Sequence, residues 1–496
     1  MGILPALQTD SSAKEQKSAM TILKNKIGRV IASIVLIAIL LASVVGYVGW
    51  YNLFREVPTY YESPEEHFKY GSIGTEEAQG VPYWIWLVLP RIFPDKLPRP
   101  GGYTSLGITW EEGKEMPVGF TKKTIGFPRV GITCAVCHTA TYRKTEKDKP
   151  TIVAAAPANK FDSQGYLRFL SATAGDPRFT ADYILDEIKY NYQLSWLENL
   201  LYRYLLIPQT KKALLQQKED YSWTDSRPNW GPGRIDPFNP VKFNTLKLPK
   251  DNTIGNSDMM PLWNKKMHKG FALHWDGLET SLTETVQTGA IGDGATKKSL
   301  PVADLQRVED FIQELSPPKY PFAIDQQVAA KGSQIFANTC ASCHAFGGER
   351  TGTVIPVEEV GTDRHRLDMW TQEGADTYNH FGDGYPWDFK NLRKTNGYVS
   401  VSLDGLWLRA PYLHNGSVPS LQDLLEKPEN RPQLFYRGYD VYNPKKVGFI
   451  TEGDEAKAIG FKYDTTVTAN SNQGHIYGTD LSDENKKALI EYLKTL

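Results

Sequence analysis

Cysteine is scarce in this chain: four residues in 496. All four fall in two pentapeptides, Cys134-Ala135-Val136-Cys137-His138 and Cys340-Ala341-Ser342-Cys343-His344. None is left over for a disulfide, a separate zinc site or a thiol nucleophile. An excess of one charge is lacking too. Lys and Arg number 56 against 57 Asp and Glu, a formal net charge of -1, so no basic field points to nucleic acid. The glycine-rich stretches Gly231 to Gly233 and Gly292 to Gly294 have no strand–turn–helix context, which excludes a nucleotide-cradling loop. Methionine is absent after Met369. No low-complexity tract occurs, and nothing repeats beyond the regions around the two pentapeptides.

What is present starts with those pentapeptides. Each Cys-x-x-Cys-His reads as a covalent attachment site for a c-type haem. The two thiols add across the haem vinyl groups, and the adjacent histidine falls under the iron as its proximal ligand. The sequence therefore points to two covalently bound haem c groups, held by Cys134, Cys137, Cys340 and Cys343, with His138 and His344 as iron ligands. The missing late methionine makes a His/Met pair an unexpected choice for the second site. Aromatics are plentiful, with 12 Trp, 26 Tyr and 20 Phe. They can pack haem faces or relay electrons, although core packing is their ordinary use.

Charge is also missing locally. Val30 to Val48 reads VIASIVLIAILLASVVGYV, and with Gly49 and Trp50 it reaches the roughly 20 residues that a membrane-spanning helix needs. Lys14, Lys17, Lys24, Lys26 and Arg29 precede it, while Glu56, Glu62, Glu65 and Glu66 follow. The positive-inside rule puts residues 1–27 in the cytoplasm, a transmembrane anchor at 28–51, and the rest outside. The run is longer than a usual signal-peptide core and no clear cleavage site follows it, which favours an uncleaved anchor. Haem c is attached on the outer face of the bacterial inner membrane. The expected location is thus a single-pass inner-membrane protein with its haem domains in the periplasm.

Helical patterns bracket each pentapeptide. Asp325 starts a helix over Gln326 to Phe336, with Gly332 and Phe336 just before Cys340. A closing helix runs from Ser482 to Leu496, with Leu489, Tyr492, Leu493 and Leu496 on one stripe. Ser299 caps another, with Pro301 in its first turn and Leu305, Val308, Phe311, Ile312 and Leu315 at helical spacing. Pro317-Pro318 ends it. The fold class expected is mostly α: a first cytochrome c-like haem domain over 52–320 with a large insertion, and a second over 321–496. Within the insertion, Trp196, Leu197, Leu200, Leu201, Tyr204 and Leu205 recur at i, i+3 and i+4, a stripe expected to pack against the haem domains.

The chain resembles the di-haem cytochrome c peroxidase/MauG superfamily, and within it the RoxA-like branch of proteins similar to rubber oxygenase. The resemblance is carried by Gly80-Val-Pro-Tyr-Trp-Ile-Trp86, Ile125-Gly-Phe-Pro-Arg-Val-Gly131, Leu273-His-Trp-Asp-Gly277, Leu408-Arg-Ala-Pro-Tyr-Leu-His-Asn-Gly-Ser-Val418 and Gly474-His-Ile-Tyr-Gly-Thr479. It implies that Trp275 lies between the haems as an electron relay, forming the catalytic centre together with His138. It implies His414 as a residue beside the second haem, holding a propionate or a loop. It implies His475 as the distal ligand of the second iron, and a calcium ion between the domains, for which Asn256 is the candidate ligand.

The resemblance also implies what is missing. The peroxidases of this superfamily carry a distal histidine before the Trp-Asp-Gly string and a glutamate after it. Here 251–260 has no histidine, and 289–296 has no glutamate, although Asp293 is close. Loss of both fits the oxygenase-like branch, with the first iron open. One departure is that Ala290 and Ile291 stand where that branch carries a bulky aromatic. His268 and His274 remain able to close the first iron. Two functions are consistent with these features. One is an oxidoreductase that uses an open first haem for dioxygen or peroxide, acts on an apolar substrate or a redox-active protein side chain, and moves electrons through the second haem. The other is a plain electron carrier between a quinol-linked membrane donor and a soluble electron-transfer protein.

Overall fold

The structure is a computed structural model that describes the backbone of residues 10–496 and the side chains of residues 14–496. Residues 1–9 of the expected cytoplasmic tail lie outside the described residues. The chain forms two compact units. One is the chain up to Pro58 together with Thr124–Phe127; the other is Thr59–Lys123 with Pro128–Leu496.

The first unit is built on one 44-residue helix, Asp10–Leu53. Its apolar residues are exposed on every side, among them Ile34 at 60% and Leu41 at 61%. A helix apolar all round finds its stable surroundings in a core or in lipid. It is long and apolar enough to cross a membrane, a test that signal sequences also pass. After it, Glu56 and Val57 pair antiparallel with Ile125 and Thr124.

The described residues are 45% helix and 11% strand, so the expected mostly α fold is in fact mixed. In the second unit the strands form small antiparallel ribbons. Thr139–Tyr142 pairs with Thr151–Ala154 just after the first pentapeptide. Val354–Pro356 pairs with Gly397–Val399, and Leu434–Arg437 with Phe461–Asp464. Each is rich in β-branched or aromatic residues, which suit a pleated, half-buried surface.

The helices that frame the second pentapeptide form as the pattern demands. Asp325 caps Gln326–Thr339 by accepting from the backbone N–H groups of Gln327 and Val328. Ser482 caps Asp483–Leu493 by accepting from that of Asn485. The two cross at Gly332, where a Cβ would lie 1.9 Å from the Ala488 carbonyl oxygen. Phe336 meets Tyr492 with ring centroids 5.1 Å apart. Leu489 and Leu493 then join Trp407, Leu408, Tyr412 and Tyr442 in a shared core.

Two local expectations are corrected. The helix before Pro317 spans Val302–Glu314, with Pro301 rather than Ser299 at its cap. The Ser299 hydroxyl is engaged elsewhere: it donates to the Gly74 carbonyl at 2.7 Å and accepts from the Thr296 N–H. The stripe in the insertion also fails to pack inward. Trp196, Leu200, Tyr204 and Leu205 are exposed, while Tyr202, Leu206 and Ile207 are buried. A π-helical turn, Tyr202–Leu206, sits between the helices Trp196–Leu201 and Ile207–Asp220 and shifts the buried face from there on. A π turn adds a residue to the winding and rotates the faces that follow it.

Candidate functional site

The first pentapeptide opens on a short 3-10 turn, Cys134–Val136. Thr133 anchors it by accepting from the Ala135 N–H at 3.2 Å and sharing its own hydroxyl proton with the Phe68 and Lys69 carbonyls. The turn brings the His138 N–H back to the Cys134 carbonyl at 3.1 Å. The His138 Nδ1 then donates to the Met260 carbonyl at 2.8 Å. Burial pushes the His138 pKa down to about 4, keeping the ring neutral. With Nδ1 engaged, the lone pair sits on Nε2, the arrangement a metal-binding imidazole needs.

The second pentapeptide repeats this geometry. His344 ends the one-turn helix Ala341–His344, and its Nδ1 donates to the Val401 carbonyl at 2.7 Å. Burial raises the thiols at both sites, to about 12 for Cys134 and about 11 for Cys340. Both segments therefore fit a covalently attached haem.

The two sites differ on the opposite side. The His475 ring faces the His344 ring with centroids 6.1 Å apart. Two metal–nitrogen bonds of about 2 Å each, added to the half-widths of two imidazoles, span that gap. His475 is held there at some cost. Its φ is 46°, in the left-handed region, and Gly474 before it has no room for a Cβ, which would lie 2.4 Å from the Gly361 carbonyl carbon. Arg431 clamps the loop by donating to the Asn472, Gly474 and His475 carbonyls. Burial first, and the His344 ring second, push the His475 pKa down to about 4. Its Nδ1 is buried without a hydrogen-bond partner. A strained, over-determined side chain of this kind marks a functional position.

Among the described residues, no histidine ring faces His138 in this way. His268 is stacked between Phe271 and Phe346 and bonds to Ser402 and Asp404. The His274 Nε2 lies 3.5 Å from the buried Glu279 carboxylate, close enough to His138 for its charge to be felt there. Cys134 instead touches an apolar cluster that includes Phe238, Leu278, Ala290, Ile291 and Trp370. Desolvation pushes the Asp293 carboxyl up to about 7, and its charge is felt at both Cys134 and Cys137. A carboxyl raised by burial can hold a proton beside that apolar cluster.

Trp275 ties the two segments together. Its Nε1 donates to the Asp258 carbonyl at 2.7 Å, two residues before Met260. Its carbonyl accepts from the Val399 N–H at 2.8 Å, two residues before Val401. Trp275 is thus tied through its indole to the segment that holds His138 and through its backbone to the segment that holds His344. His414 sits beside this tryptophan's neighbours: it stacks on Tyr398 at 4.2 Å and shares a 3.0 Å hydrogen bond with the Tyr398 hydroxyl. Burial pushes the His414 pKa down to about 3, so it is neutral. Asn256 is buried and donates its amide to the Pro228 carbonyl. The nearby Asp258 carboxylate is paired with Arg437 at 2.7 Å. No group of three or more His, Cys, Asp or Glu poised to hold a metal ion occurs among the described residues.

Several site residues carry no sequence signal. Met260 and Val401 act through backbone carbonyls, which any residue type supplies. Lys265 and Asp404 stand outside every motif. Only Arg409 lies within one of the family-like strings.

Residues 397–436 match the family described as RoxA-like, cytochrome c-like. The match covers Val399, Val401, Arg409 and His414, and a cytochrome c-like domain implies haem c. Two curated proteins of Sinorhizobium fredii are similar to the chain. The uncharacterised protein y4iJ is 31% identical over 38% of this chain and 42% of its own length. The uncharacterised protein y4iM is 25% identical over 55% of this chain and 72% of its own length. The chain thus spans less than half of the first relative's length.

Proposed function

We propose that the chain is a membrane-anchored periplasmic di-haem cytochrome c of the oxidoreductase kind, with a closed second haem for electron transfer and an open first haem for dioxygen or peroxide. The observation that carries this reading is the asymmetry between the two histidines. His344 has His475 across a metal-sized gap of 6.1 Å, whereas among the described residues no such ring contact is made by His138, whose neighbour Cys134 packs against an apolar cluster. Bound haem supplies an iron that exchanges one electron and, where a coordination position is free, takes a small ligand.

The protein's own groups do the rest. The Met260 and Val401 carbonyls orient the two proximal imidazoles. Trp275, bonded to both holding strands, offers a π-system between the sites. Ala290 and Ile291 keep the surroundings of Cys134 apolar, which suits an apolar substrate, and Asp293 holds a proton near them. Electrons enter from a quinol-linked donor or an electron-transfer protein. The 28–51 stretch of the Asp10–Leu53 helix, read as an inner-membrane anchor, keeps the haem domains on the periplasmic side.

Haem stoichiometry and carbon monoxide binding test this directly. The full-length protein should carry two haems per chain, and one of them should bind carbon monoxide after reduction. The double variants C134S/C137S and C340S/C343S should each retain one covalent haem, and only C340S/C343S should keep the native carbon monoxide site. Two haems with no carbon monoxide binding would leave the electron-carrier function in place of the enzyme.

A further inference from the structure

The two loops that orient the proximal histidines are joined through one carboxylate. The first runs from Met260 to His268, the second from Val401 to Arg409. The Asp404 carbonyl accepts from the Trp263 indole at 3.1 Å, and its carboxylate accepts from Asn264 at 3.3 Å. The same carboxylate takes the Ser402 hydroxyl at 2.6 Å and the His268 Nε2 at 3.3 Å. Arg409 closes the knot: its Nη2 lies 3.2 Å from the Asp404 carboxylate, and its Nη1 donates to the Ser402 carbonyl at 2.8 Å.

The charges in this knot do not balance. Lys265 and Arg409 are cations, Asp404 is the single anion among them, and burial keeps His268 neutral by lowering its pKa. Desolvation and the neighbouring Arg409 push Lys265 down to about 8. Lys265 is half-buried, and the Arg409 Nε is buried with no partner. A buried, unfilled guanidinium N–H is costly unless an anion joins it, and a half-buried ammonium beside it adds a second unmatched cation. The charges are also distributed. Lys265 is felt at His138, and Arg409 at His344.

We propose that Lys265 and Arg409 form a carboxylate-binding cradle between the two haem sites, filled by haem propionates, with Lys265 serving the first haem and Arg409 the second. This rests on the two-haem reading above. Each c-type haem brings two propionates, which supply the missing negative charge. A guanidinium fork accepts a carboxylate in a fixed geometry, and an ammonium adds a point charge. The cradle sets the reduction potential of each haem by the positive charge it retains beside it.

The test is a spectroelectrochemical titration of the full-length holoprotein, following each haem separately, for wild type, Lys265→Met and Lys265→Arg. Lys265→Met removes no hydrogen bond of the knot, so the fold should survive. It should make the first haem about tenfold harder to reduce, a fall of about 59 mV for one electron, with a smaller shift at the second. Lys265→Arg should restore the wild-type value. Arg409→Gln should reverse the order, moving the second haem more than the first. Two bound haems with unmoved potentials in Lys265→Met, or equal shifts at both haems, would overturn the cradle alone. Fewer than two haems per wild-type chain would overturn the parent reading and the cradle with it.

Discussion

Replacing His475 by alanine opens the second haem. The expected result is a second carbon monoxide-binding site on the reduced protein, together with loss of its low-spin signature in the oxidised form. The argument is geometric. The His475 ring stands 6.1 Å from the His344 ring on a loop that pays for its placement three times over: a residue at φ 46°, a glycine with no room for a Cβ, and the Arg431 clamp on three carbonyls. None of this is needed to bury one imidazole with an unpartnered Nδ1. The cavity left by alanine should admit a small ligand, and added imidazole should restore the closed state. The fold should tolerate the change, because the clamp acts on backbone oxygens that alanine keeps. A variant that keeps one carbon monoxide site and an unchanged spectrum would remove His475 from the metal.

The second large effect is on stability. Even alanine at Gly332 would place its Cβ 1.9 Å from the Ala488 carbonyl oxygen. Backbone meets backbone there, so no rotamer change relieves the clash. The opening and closing helices must separate, loosening Phe336 from Tyr492 and uncovering Leu489 and Leu493, which are 0% and 6% exposed. Overpacking of this kind costs about 1–3 kcal/mol, and valine should lie at the upper end. Denaturant unfolding of Gly332→Val should show a lower midpoint at an unchanged slope. Haem content at Cys340 and Cys343 should fall with it, since the first helix leads directly into that site. A midpoint equal to wild type would mean that the helices do not cross at this residue.

The sequence speaks clearly where chemistry or close packing restricts residue type. Only cysteine and histidine can build the two attachment sites, and only glycine fits the Gly332 crossing. Asp325 and Ser482 announce helix starts because a short oxygen-bearing side chain is what a bare N-terminus needs. The ribbons are not legible. Strands of two to six residues hold too few alternations to show a period. The 196–205 stripe misleads because its spacing assumes unbroken α-winding, and the π turn at Tyr202–Leu206 moves the inward face to Tyr202, Leu206 and Ile207. Within the site, His475 is marked by family resemblance, but the 6.1 Å gap depends on the fold bringing together segments far apart in the chain. Met260, Val401, Lys265 and Asp404 are silent for a related reason: two act through backbone carbonyls, and two matter only through what surrounds them.

The central claim is that one iron is open and the other closed. Electron paramagnetic resonance of the oxidised full-length protein tests it most directly. The account predicts one high-spin ferric signal from the His138 haem and one low-spin signal from the His344/His475 haem, in equal amounts. Two low-spin signals would contradict it and make the protein a membrane-tethered electron carrier.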